Sequence, residues 1–318
     1  MPQPPPGVQS DYPLSRLTTV RTGGPAEYFA RAGTIAALER LVAWAAAEEL
    51  EVGVVGSGSN LLVADQGVRG LVVKLDKDLS KIEFDGPRIH CGGGARLPAV
   101  SAQAAQAGLA GIEFGVNIPG TVGGAVRMNA NAYGGELARV LEWVDIVSPG
   151  GSDRRLPDQL GFAYRRSNLG PHEIVARASF ALTPAPPEEV KATLADMRAR
   201  RKAAQPSGIK TFGSTFKNPD HPRAGGKTAG QLLDAAGCRG LRIGGASFSA
   251  KHANFVENHG EATTADVIAL MAEGRRQVRE RFGVELEAEV QTLGPIGAEQ
   301  LESAFGPHAG TAEGSVPA

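Results

Sequence analysis

Two segments rich in small residues, far apart in the chain, restrict its fold more than any other feature. The first, GSGSN at residues 56–60, follows a short apolar run, and the second, NIPGTVGGAVRMNANAYGG at residues 117–135, contains few charged or bulky side chains. A surface loop has no need to avoid charge and bulk, whereas a main chain that packs against a ligand does. Together with the glycine triplet at residues 92–94, these segments predict a nucleotide cofactor whose pyrophosphate and ring system are held by main-chain groups.

The GSGSN segment alone predicts a phosphate site, with a plain tight turn as the alternative. Successive small residues let main-chain N–H groups converge on one phosphate oxygen, and the serine hydroxyls and the Asn60 amide add donors. The segment is not a Walker loop, since no Lys–Ser/Thr pair follows it. Leu61 stands where the dinucleotide fingerprint has its third glycine, which excludes that motif as well.

Composition predicts an ordinary globular protein and excludes several classes of partner. Of the 318 residues, 42% are hydrophobic and 21% charged, and a net charge of −1 creates no overall field that would attract nucleic acid or an anionic membrane. No apolar run is long enough to cross a bilayer, and residues 1–13 lack the basic start and apolar core of a secretory signal. Cys91 and Cys238 do not make a disulfide framework, although one bridge between them stays open. A reducing cytoplasm is the simpler location.

Hydrophobic periodicity predicts α/β units. Residues 34–50 place apolar side chains on one helical face, with Thr34 as the N-cap, and short apolar strands surround the GSGSN loop and occupy residues 70–75. Further helices are predicted at residues 97–107, 187–204, 227–237 and 263–283, the last beginning with a capping box of Thr263 and Asp266.

The C-terminal part of the chain carries an alternating segment, VELEAEV at residues 284–290, which predicts a half-buried strand with one carboxylate face. The alternation places Glu285, Glu287 and Glu289 on that face and cannot choose among them. Residues 1–13 are predicted to be a flexible arm, and residues 294–318 a flexible tail, with a short helix as an alternative for part of it. No His, Cys, Asp or Glu cluster has metal-ligand spacing, so no metal is predicted.

In combination, seven segments resemble the family of UDP-N-acetylenolpyruvoylglucosamine reductases in their order and spacing. Each segment alone is weakly specific, whereas seven in register are very specific. The resemblance covers nearly the whole chain, from about residue 13 to about residue 293. The segments are TVRTGGPAEYF (19–29), GSGSNLLV (56–63), NIPGTVGGAV (117–126), FAYRRS (162–167), GSTFKNP (213–219), KHANFVEN (251–258) and LEAEV (286–290).

The resemblance implies an α+β fold. It consists of a two-lobed FAD-binding domain of the vanillyl-alcohol-oxidase (PCMH) type, built of α/β lobes, and a C-terminal α+β lobe that binds the substrate. The FAD-binding lobes fall at residues 14–75 and 76–205, and the substrate-binding domain at residues 206–293, with its last strand carrying Glu289. The short separation between FAYRRS and GSTFKNP is similar to the shorter of the two family forms, which lacks an extra loop over the substrate.

The resemblance also implies a reaction in peptidoglycan precursor synthesis, and through it a part in cell shape and division. NADPH reduces FAD and leaves, and the enolpyruvyl ether of UDP-N-acetylglucosamine then enters and is reduced to UDP-N-acetylmuramate. No motif in the chain itself distinguishes NADPH from NADH. The expected partners are these small molecules only, in a cytoplasmic protein that is a monomer or a weak oligomer.

Three catalytic residues follow from the resemblance. Ser214 matches the family's proton donor, Arg165 the arginine that holds the substrate carboxylate, and Glu289 the catalytic glutamate. A permanently charged planar guanidinium suits a carboxylate, and a protonated carboxyl in a buried site could donate a hydrogen bond to a developing enolate. Without the resemblance, a turn serine, a surface arginine and a solvated glutamate would be the simpler interpretations.

Binding residues are predicted on the same basis. Tyr164, Lys217 and Asn218 are assigned to the substrate, while His252 and Asn254 match the KHANF segment without an assigned role. The residues assigned to FAD all lie in the two small-residue segments: Gly56, Ser57, Gly58, Ser59, Asn60, Leu61, Pro119, Gly120, Thr121, Gly123, Gly124 and Ala125.

Two other functions remain as alternatives. A flavin oxidase on the same scaffold commonly carries covalently attached flavin, but the two small-residue segments contain no His or Cys, and Cys91 beside the glycine triplet lies in no attachment motif. A flavin- or nucleotide-binding module without catalysis would not need Ser214, Arg165 and Glu289 together.

Overall fold

The computed structural model describes residues 4–206 and 210–306, and the chain forms two compact units. Both units are built from separated stretches of sequence. Among the described residues, the first unit contains residues 4–10, 28–57 and 70–203, and the second contains residues 11–27, 58–69, 204–206 and 210–306. The boundary between the two runs through the GSGSN segment, because Ser57 belongs to the first unit and Gly58 to the second.

Five of the seven α-helices among the described residues lie where the periodicity predicts them, and α3 was not predicted. Thr34 accepts a hydrogen bond from the Ala37 N–H at 3.2 Å, as expected of an N-cap. The capping box of Thr263 and Asp266 is also confirmed, with both reciprocal bonds at 3.0 Å. The helices are α1 Ile35–Ala47, α2 Leu97–Gln106, α3 Val122–Arg127, α4 Pro187–Ala204, α5 Ala229–Ala235, α6 Thr264–Phe282 and α7 Ala298–Phe305.

The strands are short, and most lie in antiparallel sheets. In chain order the described strands are β1 Gln9–Pro13, β2 Pro25–Ala32, β3 Val52–Val54, β4 Leu61–Val63, β5 Val68–Leu75, β6 Ile82–Asp85, β7 Arg88–Gly92, β8 Leu109–Ala110, β9 Asn131–Ala132, β10 Gly135–Glu136, β11 Leu141–Ser148, β12 Gly151–Arg155, β13 Ile174–Ala181, β14 Thr183–Pro184, β15 Lys210–Thr211, β16 Arg242–Ile243, β17 Ala246–Phe248, β18 Val256–Asn258 and β19 Gln291–Leu293.

The first unit has two main hydrophobic clusters, besides a smaller one between α2 and α4. One surrounds α1 and the parallel pair of β3 and β5, and the other lies under the five-stranded antiparallel sheet β12-β11-β13-β7-β6 with α2 and α3. The glycine triplet joins β7 to α2 because only glycine fits there. A β-carbon on Gly93 would lie 1.9 Å from the carbonyl oxygen of Val175.

The second unit has one hydrophobic cluster around α5 and α6. The four-stranded antiparallel sheet β15-β18-β17-β16 packs on these helices, and β19 pairs in parallel with β4. Phe212 and Phe216 on either side of the GST tripeptide are almost fully buried in this cluster. Their burial fixes the path of the main chain between them.

Two predictions about the ends of the chain are wrong in part. Residues 9–13 form β1 rather than a flexible arm. Residues 298–305 form α7, whose Phe305 is buried, so the short helix given as the alternative for part of the tail is confirmed there. Residues 1–3 of the predicted arm and 307–318 of the predicted tail lie outside the described residues.

The predicted last strand at residues 284–290 is also corrected. Burial alternates as predicted, but the only pairing found there among the described residues is an isolated bridge between Ala288 and Phe216, and strand β19 begins after Glu289. Arg275 explains part of the difference, because its guanidinium donates to the Leu286 carbonyl at 2.7 Å and so satisfies a group that a neighbouring strand would otherwise pair. No helix among residues 4–206 and 210–306 is both long and apolar enough to span a membrane.

Candidate active site

The first half of the GSGSN segment lies against the NIPGTVGG segment inside the first unit. Ser57 donates from Oγ to the carbonyl oxygen of Pro119 at 2.5 Å. A β-carbon on Gly56 would lie 2.5 Å from Oγ1 of Thr121, so the approach of the two segments requires glycine. Two segments that were each predicted to hold a cofactor are therefore in direct contact.

Lys74 of β5 contacts the GSGSN segment at Gly56. It was not predicted as a site residue. Its Nζ donates a hydrogen bond to the carbonyl oxygen of Gly56. Burial, and then the positive charge of Arg31, lower the pKa of Lys74 from its usual value. The sequence signal was a lysine inside the apolar strand pattern GLVVKL.

The start of α3 is built of small residues, and its main-chain N–H groups are already hydrogen-bonded within the protein. Thr121 caps the helix, with its Oγ1 accepting from the Gly124 N–H at 3.4 Å, and the N–H of Gly123 donates to the Gly93 carbonyl at 2.7 Å. The Val122 N–H donates within the protein too, to Ala95. These three amides are already paired, so they are not the groups that would hold a phosphate. Among the other residues assigned to FAD here, Gly120 is half-buried, Gly124 is exposed and Ala125 is 3% exposed in the core.

The second half of the GSGSN segment lies in the second unit and contacts both other candidate segments there. The Ser59 carbonyl accepts from the Gly213 N–H at 2.9 Å, directly before Ser214. The Asn60 side chain donates to the Glu289 carbonyl at 3.0 Å. Gly58 has a φ of +65°, and Leu61 begins β4. The segment thus brings the serine-bearing and glutamate-bearing segments together.

Ser214 and Glu289 are linked through Thr215, the residue that follows Ser214. The Glu289 N–H donates to the carbonyl oxygen of Thr215 at 2.8 Å, and Thr215 immediately follows Ser214. Both Ser214 and Glu289 are half-buried, which leaves each side chain accessible. The second unit therefore places a hydroxyl and a carboxyl on adjacent segments.

Arg165 lies at the tip of a tight hairpin in the first unit. Ala163 and Arg166 exchange main-chain hydrogen bonds at 3.0 and 3.1 Å, and Arg165 occupies the third turn position with a φ of +56°. A left-handed conformation at a residue other than glycine costs roughly 1–3 kcal/mol and is concentrated at functional sites. Its Nη1 donates to the Asn131 carbonyl at 3.2 Å, and the guanidinium carbon lies 5.4 Å from the centre of the Tyr164 ring.

The segment after α3 holds this hairpin. Ser167 donates from Oγ to the Arg127 carbonyl at 2.8 Å, and the Arg127 guanidinium donates to the carbonyls of Leu169, Gly170 and Glu173. Asn129, which is 1% exposed, donates from Nδ2 to the Ala163 carbonyl at 3.2 Å. Arg127 and Asn129 were not predicted as site residues, because their partners lie more than 30 residues away.

The three residues assigned to the substrate are accessible to different degrees. Tyr164 is 48% exposed. Lys217 forms an ion pair with Glu287 at 2.5 Å, and the Asn218 side chain accepts from the Ala229 N–H at 3.1 Å, at the beginning of α5. Tyr164 is therefore open to a ligand, whereas the side chains of Lys217 and Asn218 already have partners within the protein.

The two cysteines are both buried and unbridged. Cys91 lies in the core of the first unit, and burial raises the pKa of its thiol to about 12, which makes the thiol unreactive. Cys238 lies in the core of the second unit. Among residues 4–206 and 210–306, no group of three His, Cys, Asp or Glu side chains could hold a metal ion.

Comparison with known proteins relates the chain to one family of reductases. A family model for an FAD binding domain matches residues 26–156, and one for the C-terminal domain of UDP-N-acetylenolpyruvoylglucosamine reductase matches residues 205–293. The UDP-N-acetylenolpyruvoylglucosamine reductase of Novosphingobium aromaticivorans is 46% identical over 286 residues, 89% of this chain and 94% of the relative. A second such reductase, from Symbiobacterium thermophilum, is 44% identical over 89% of this chain and 91% of its own.

The structure also resembles a solved one. The crystal structure of the enzyme of that name from Thermus caldophilus aligns with a TM-score of 0.77 at 38% identity, over 90% of this chain and 98% of the other.

Proposed function

The chain belongs to the UDP-N-acetylenolpyruvoylglucosamine reductase family of FAD-dependent oxidoreductases in peptidoglycan precursor synthesis, and we propose that it reduces UDP-N-acetylglucosamine enolpyruvate to UDP-N-acetylmuramate with NADPH. The proposal includes a cytoplasmic location and a monomer or weak oligomer. The observation that carries it is the hydrogen bond from the Glu289 N–H to Thr215, which joins the hydroxyl-bearing and carboxyl-bearing segments in one unit.

The small-residue segments suit a flavin nucleotide. Bound FAD would supply the hydride that the substrate accepts. The hydrogen bond between Ser57 and Pro119 joins the two segments. Glycine at position 56 has no side chain to come between them, so a flat ring or a pyrophosphate can approach the main chain closely. Lys74, which donates to the Gly56 carbonyl, adds a positive charge next to the same loop. The predicted FAD residues in this unit are Gly56, Ser57, Pro119, Gly120, Thr121, Gly123, Gly124 and Ala125, followed in the second unit by Gly58, Ser59, Asn60 and Leu61.

Ser214 is the proposed proton donor. Hydride adds to the terminal carbon of the enolpyruvyl group, and negative charge develops on the adjacent carbon. This adjacent carbon must then receive a proton. A serine hydroxyl is a weak acid, so its contribution depends on fixed placement. The burial of Phe212 and Phe216 on either side supports such placement.

Arg165 is the proposed ligand of the substrate carboxylate. The developing charge spreads into that carboxylate, and a guanidinium can hold both oxygens at once. The strained φ of Arg165 and the three anchors of its hairpin at Arg127, Asn129 and Asn131 support a role that needs a fixed guanidinium.

Glu289 is the proposed second stabiliser of the enolate, and Tyr164, Lys217 and Asn218 are the proposed contacts to the rest of the substrate. Glu289 is half-buried, and its main chain is held on both sides by Asn60 and Thr215, which fixes the position of this residue. Lys217 would exchange its ion pair with Glu287 for an anionic group of the nucleotide.

One experiment tests the proposal. The purified protein should show a visible flavin spectrum, and it should oxidise NADPH rapidly only when UDP-N-acetylglucosamine enolpyruvate is present, with UDP-N-acetylmuramate as the product. Rapid NADPH oxidation that depends on oxygen instead would indicate an oxidase, and acid precipitation that left the yellow colour in the pellet would agree with it. Bound flavin without turnover of either kind would indicate a binding module. Either outcome would overturn the proposal.

A further inference from the structure

Asn254, in the KHANF segment, makes an unusual number of contacts with the residues that follow Ser214. It is 3% exposed. Its side-chain Oδ1 accepts from the Phe216 N–H and its Nδ2 donates to the Phe216 carbonyl, both at 2.9 Å. Its own carbonyl accepts from the N–H of Thr215 at 2.9 Å and from the Thr215 hydroxyl at 3.0 Å. Four hydrogen bonds thus connect one residue to two consecutive residues.

The reciprocal pair with Phe216 has the form of an antiparallel strand pair. A side-chain amide supplies both a donor and an acceptor in one plane, so it can replace a main-chain partner where no strand passes. Asparagine is the shortest side chain that does so. An aspartate of the same shape would place a second acceptor against the Phe216 carbonyl, and an alanine would leave both groups of Phe216 buried without a partner.

The opposite edge of the same segment pairs with the glutamate-bearing segment. The Lys217 N–H donates to the Glu287 carbonyl at 2.8 Å, and the Glu289 N–H donates to the Thr215 carbonyl at 2.8 Å. Residues 215–217 therefore lie between Asn254 on one edge and residues 287–289 on the other. A shift of Asn254 would move Thr215 and with it both Ser214 and Glu289.

Asn254 itself is fixed by its neighbours. Its N–H donates to Nδ1 of His252 at 3.3 Å, and the His252 ring lies against Gly230 of α5, where a β-carbon would come within 2.7 Å of the ring. Burial lowers the pKa of His252, which favours the neutral ring that can accept this hydrogen bond. The main chain of Asn254 is therefore held through the His252 ring, which packs against a helix of the core.

We infer that Asn254 is a positioning residue for the reaction: it holds the Thr215–Phe216 main chain so that the Ser214 hydroxyl stays where protonation requires it. The inference rests on the proposed function. It differs from a general contribution to stability, because it predicts that one half-reaction suffers and the other does not.

Asn258 of β18 provides the matched control. It is also buried, at 8% exposed, and its side chain also makes three hydrogen bonds to main chain, with Val20, Gly260 and Ala262. It makes no hydrogen bond to residues 213–217 among those described. Asn258→Ala should therefore lower the unfolding temperature as Asn254→Ala does, without selective damage to one half-reaction.

The test measures both half-reactions of the holoenzyme by stopped flow. Asn254→Asp and Asn254→Ala should slow reoxidation of the reduced enzyme by UDP-N-acetylglucosamine enolpyruvate roughly 10- to 100-fold, since a misplacement of about 1 Å can cost 100-fold. Reduction of the flavin by NADPH should change less than about 2-fold, because no proton from Ser214 is needed there. The solvent deuterium isotope effect on reoxidation should increase, because proton delivery becomes slower relative to the other steps.

A double variant separates the inference from the proposed function. If Asn254 acts through Ser214, then Ser214→Ala/Asn254→Asp should be about as slow as Ser214→Ala alone. Equal losses in both half-reactions, or the same selective loss in Asn258→Ala, would overturn the inference while leaving the proposed function standing. If Ser214→Ala itself were reoxidised at the rate of the unaltered enzyme, the role of Ser214 and the inference would both fail. If the reduced, unaltered enzyme were not reoxidised by UDP-N-acetylglucosamine enolpyruvate, the proposed function would fail instead. Should Asn254→Ala not fold, the isosteric Asn254→Asp carries the test.

Discussion

The hydroxyl of Ser57 and the carbonyl oxygen of Pro119, 62 residues apart in the sequence, are joined by a hydrogen bond of 2.5 Å. This bond connects the two small-residue segments to which FAD binding is assigned. Because it forms within one unit, it preorganises their shared surface before any ligand arrives, and a ligand that needs that surface would bind less tightly without it.

Ser57→Ala should therefore weaken FAD binding while the protein still folds. The net contribution of one hydrogen bond is about 1 kcal/mol, so we expect a dissociation constant roughly 5-fold higher. Titration of the apoprotein with FAD, followed by quenching of flavin fluorescence, would measure it. Ser152→Ala removes an exposed hydroxyl that bonds to Glu39, and it should leave FAD affinity unchanged. Unchanged affinity in both variants would mean that the two segments do not need this link.

Gly93→Ala should destabilise the first unit. A β-carbon there would lie 1.9 Å from the Val175 carbonyl, and main chain cannot yield as a flexible side chain can. Overpacking of this kind typically costs about 1–3 kcal/mol. The midpoint of urea unfolding would show the loss. Gly150→Ala, whose nearest contact would be an ordinary 3.7 Å to Ser148, is the control and should change stability little.

Local patterns in the sequence were sufficient to predict most helices. Thr34 and the pair of Thr263 and Asp266 cap their helices as predicted, because capping depends on residues three positions apart. Strand β1 was missed and helix α7 was predicted only as an alternative, since the proline-rich arm and the tail carry weak periodicity. Tertiary contacts order them instead, as the burial of Phe305 shows for α7.

The candidate site, too, could be predicted from the sequence only in part. The motifs predicted the segments around Ser57, Ser214 and Glu289, whereas the contacts of Lys74, Asn129 and Asn254 are with partners that local sequence does not specify. Asn254, for example, bonds to a residue 38 positions away. The alternation of VELEAEV predicted which side chains are buried, but not that the Arg275 guanidinium takes the place of a neighbouring strand at Leu286.

Ser214→Ala should separate the two half-reactions. We expect reduction of the flavin by NADPH to stay near its original rate and reduction of the enolpyruvyl nucleotide to fall by about 100-fold or more, the usual contribution of a general acid. Stopped-flow measurement of each half-reaction checks this directly. An equal loss in both would refute the assignment of Ser214 as proton donor.

Arg165→Lys should also slow substrate reduction, by roughly 10- to 100-fold, because an ammonium cannot bind both carboxylate oxygens in one plane. Arg166→Lys is the matched control, since Arg166 is adjacent, exposed and outside the left-handed turn position. Steady-state kcat/KM for the enolpyruvyl nucleotide is the measurement. Full activity of the Arg165 variant would mean that no bidentate contact is made.

Glu289→Gln and Glu287→Gln compare two carboxylates on one face of the same segment. Glu287 is exposed and paired with Lys217, so its loss removes an exposed ion pair worth about 0–1 kcal/mol. Glu289 is half-buried, and its N–H is bonded to the residue after Ser214. Neutralising it removes the carboxyl assigned to the enolate, so kcat should fall roughly 10- to 1,000-fold. Glu287→Gln should mainly lower KM, because Lys217 then no longer has to leave an ion pair to bind an anionic group of the substrate. Measurement of kcat and KM for both variants shows which glutamate is catalytic. A larger loss of kcat in Glu287→Gln than in Glu289→Gln would assign the catalytic role to Glu287.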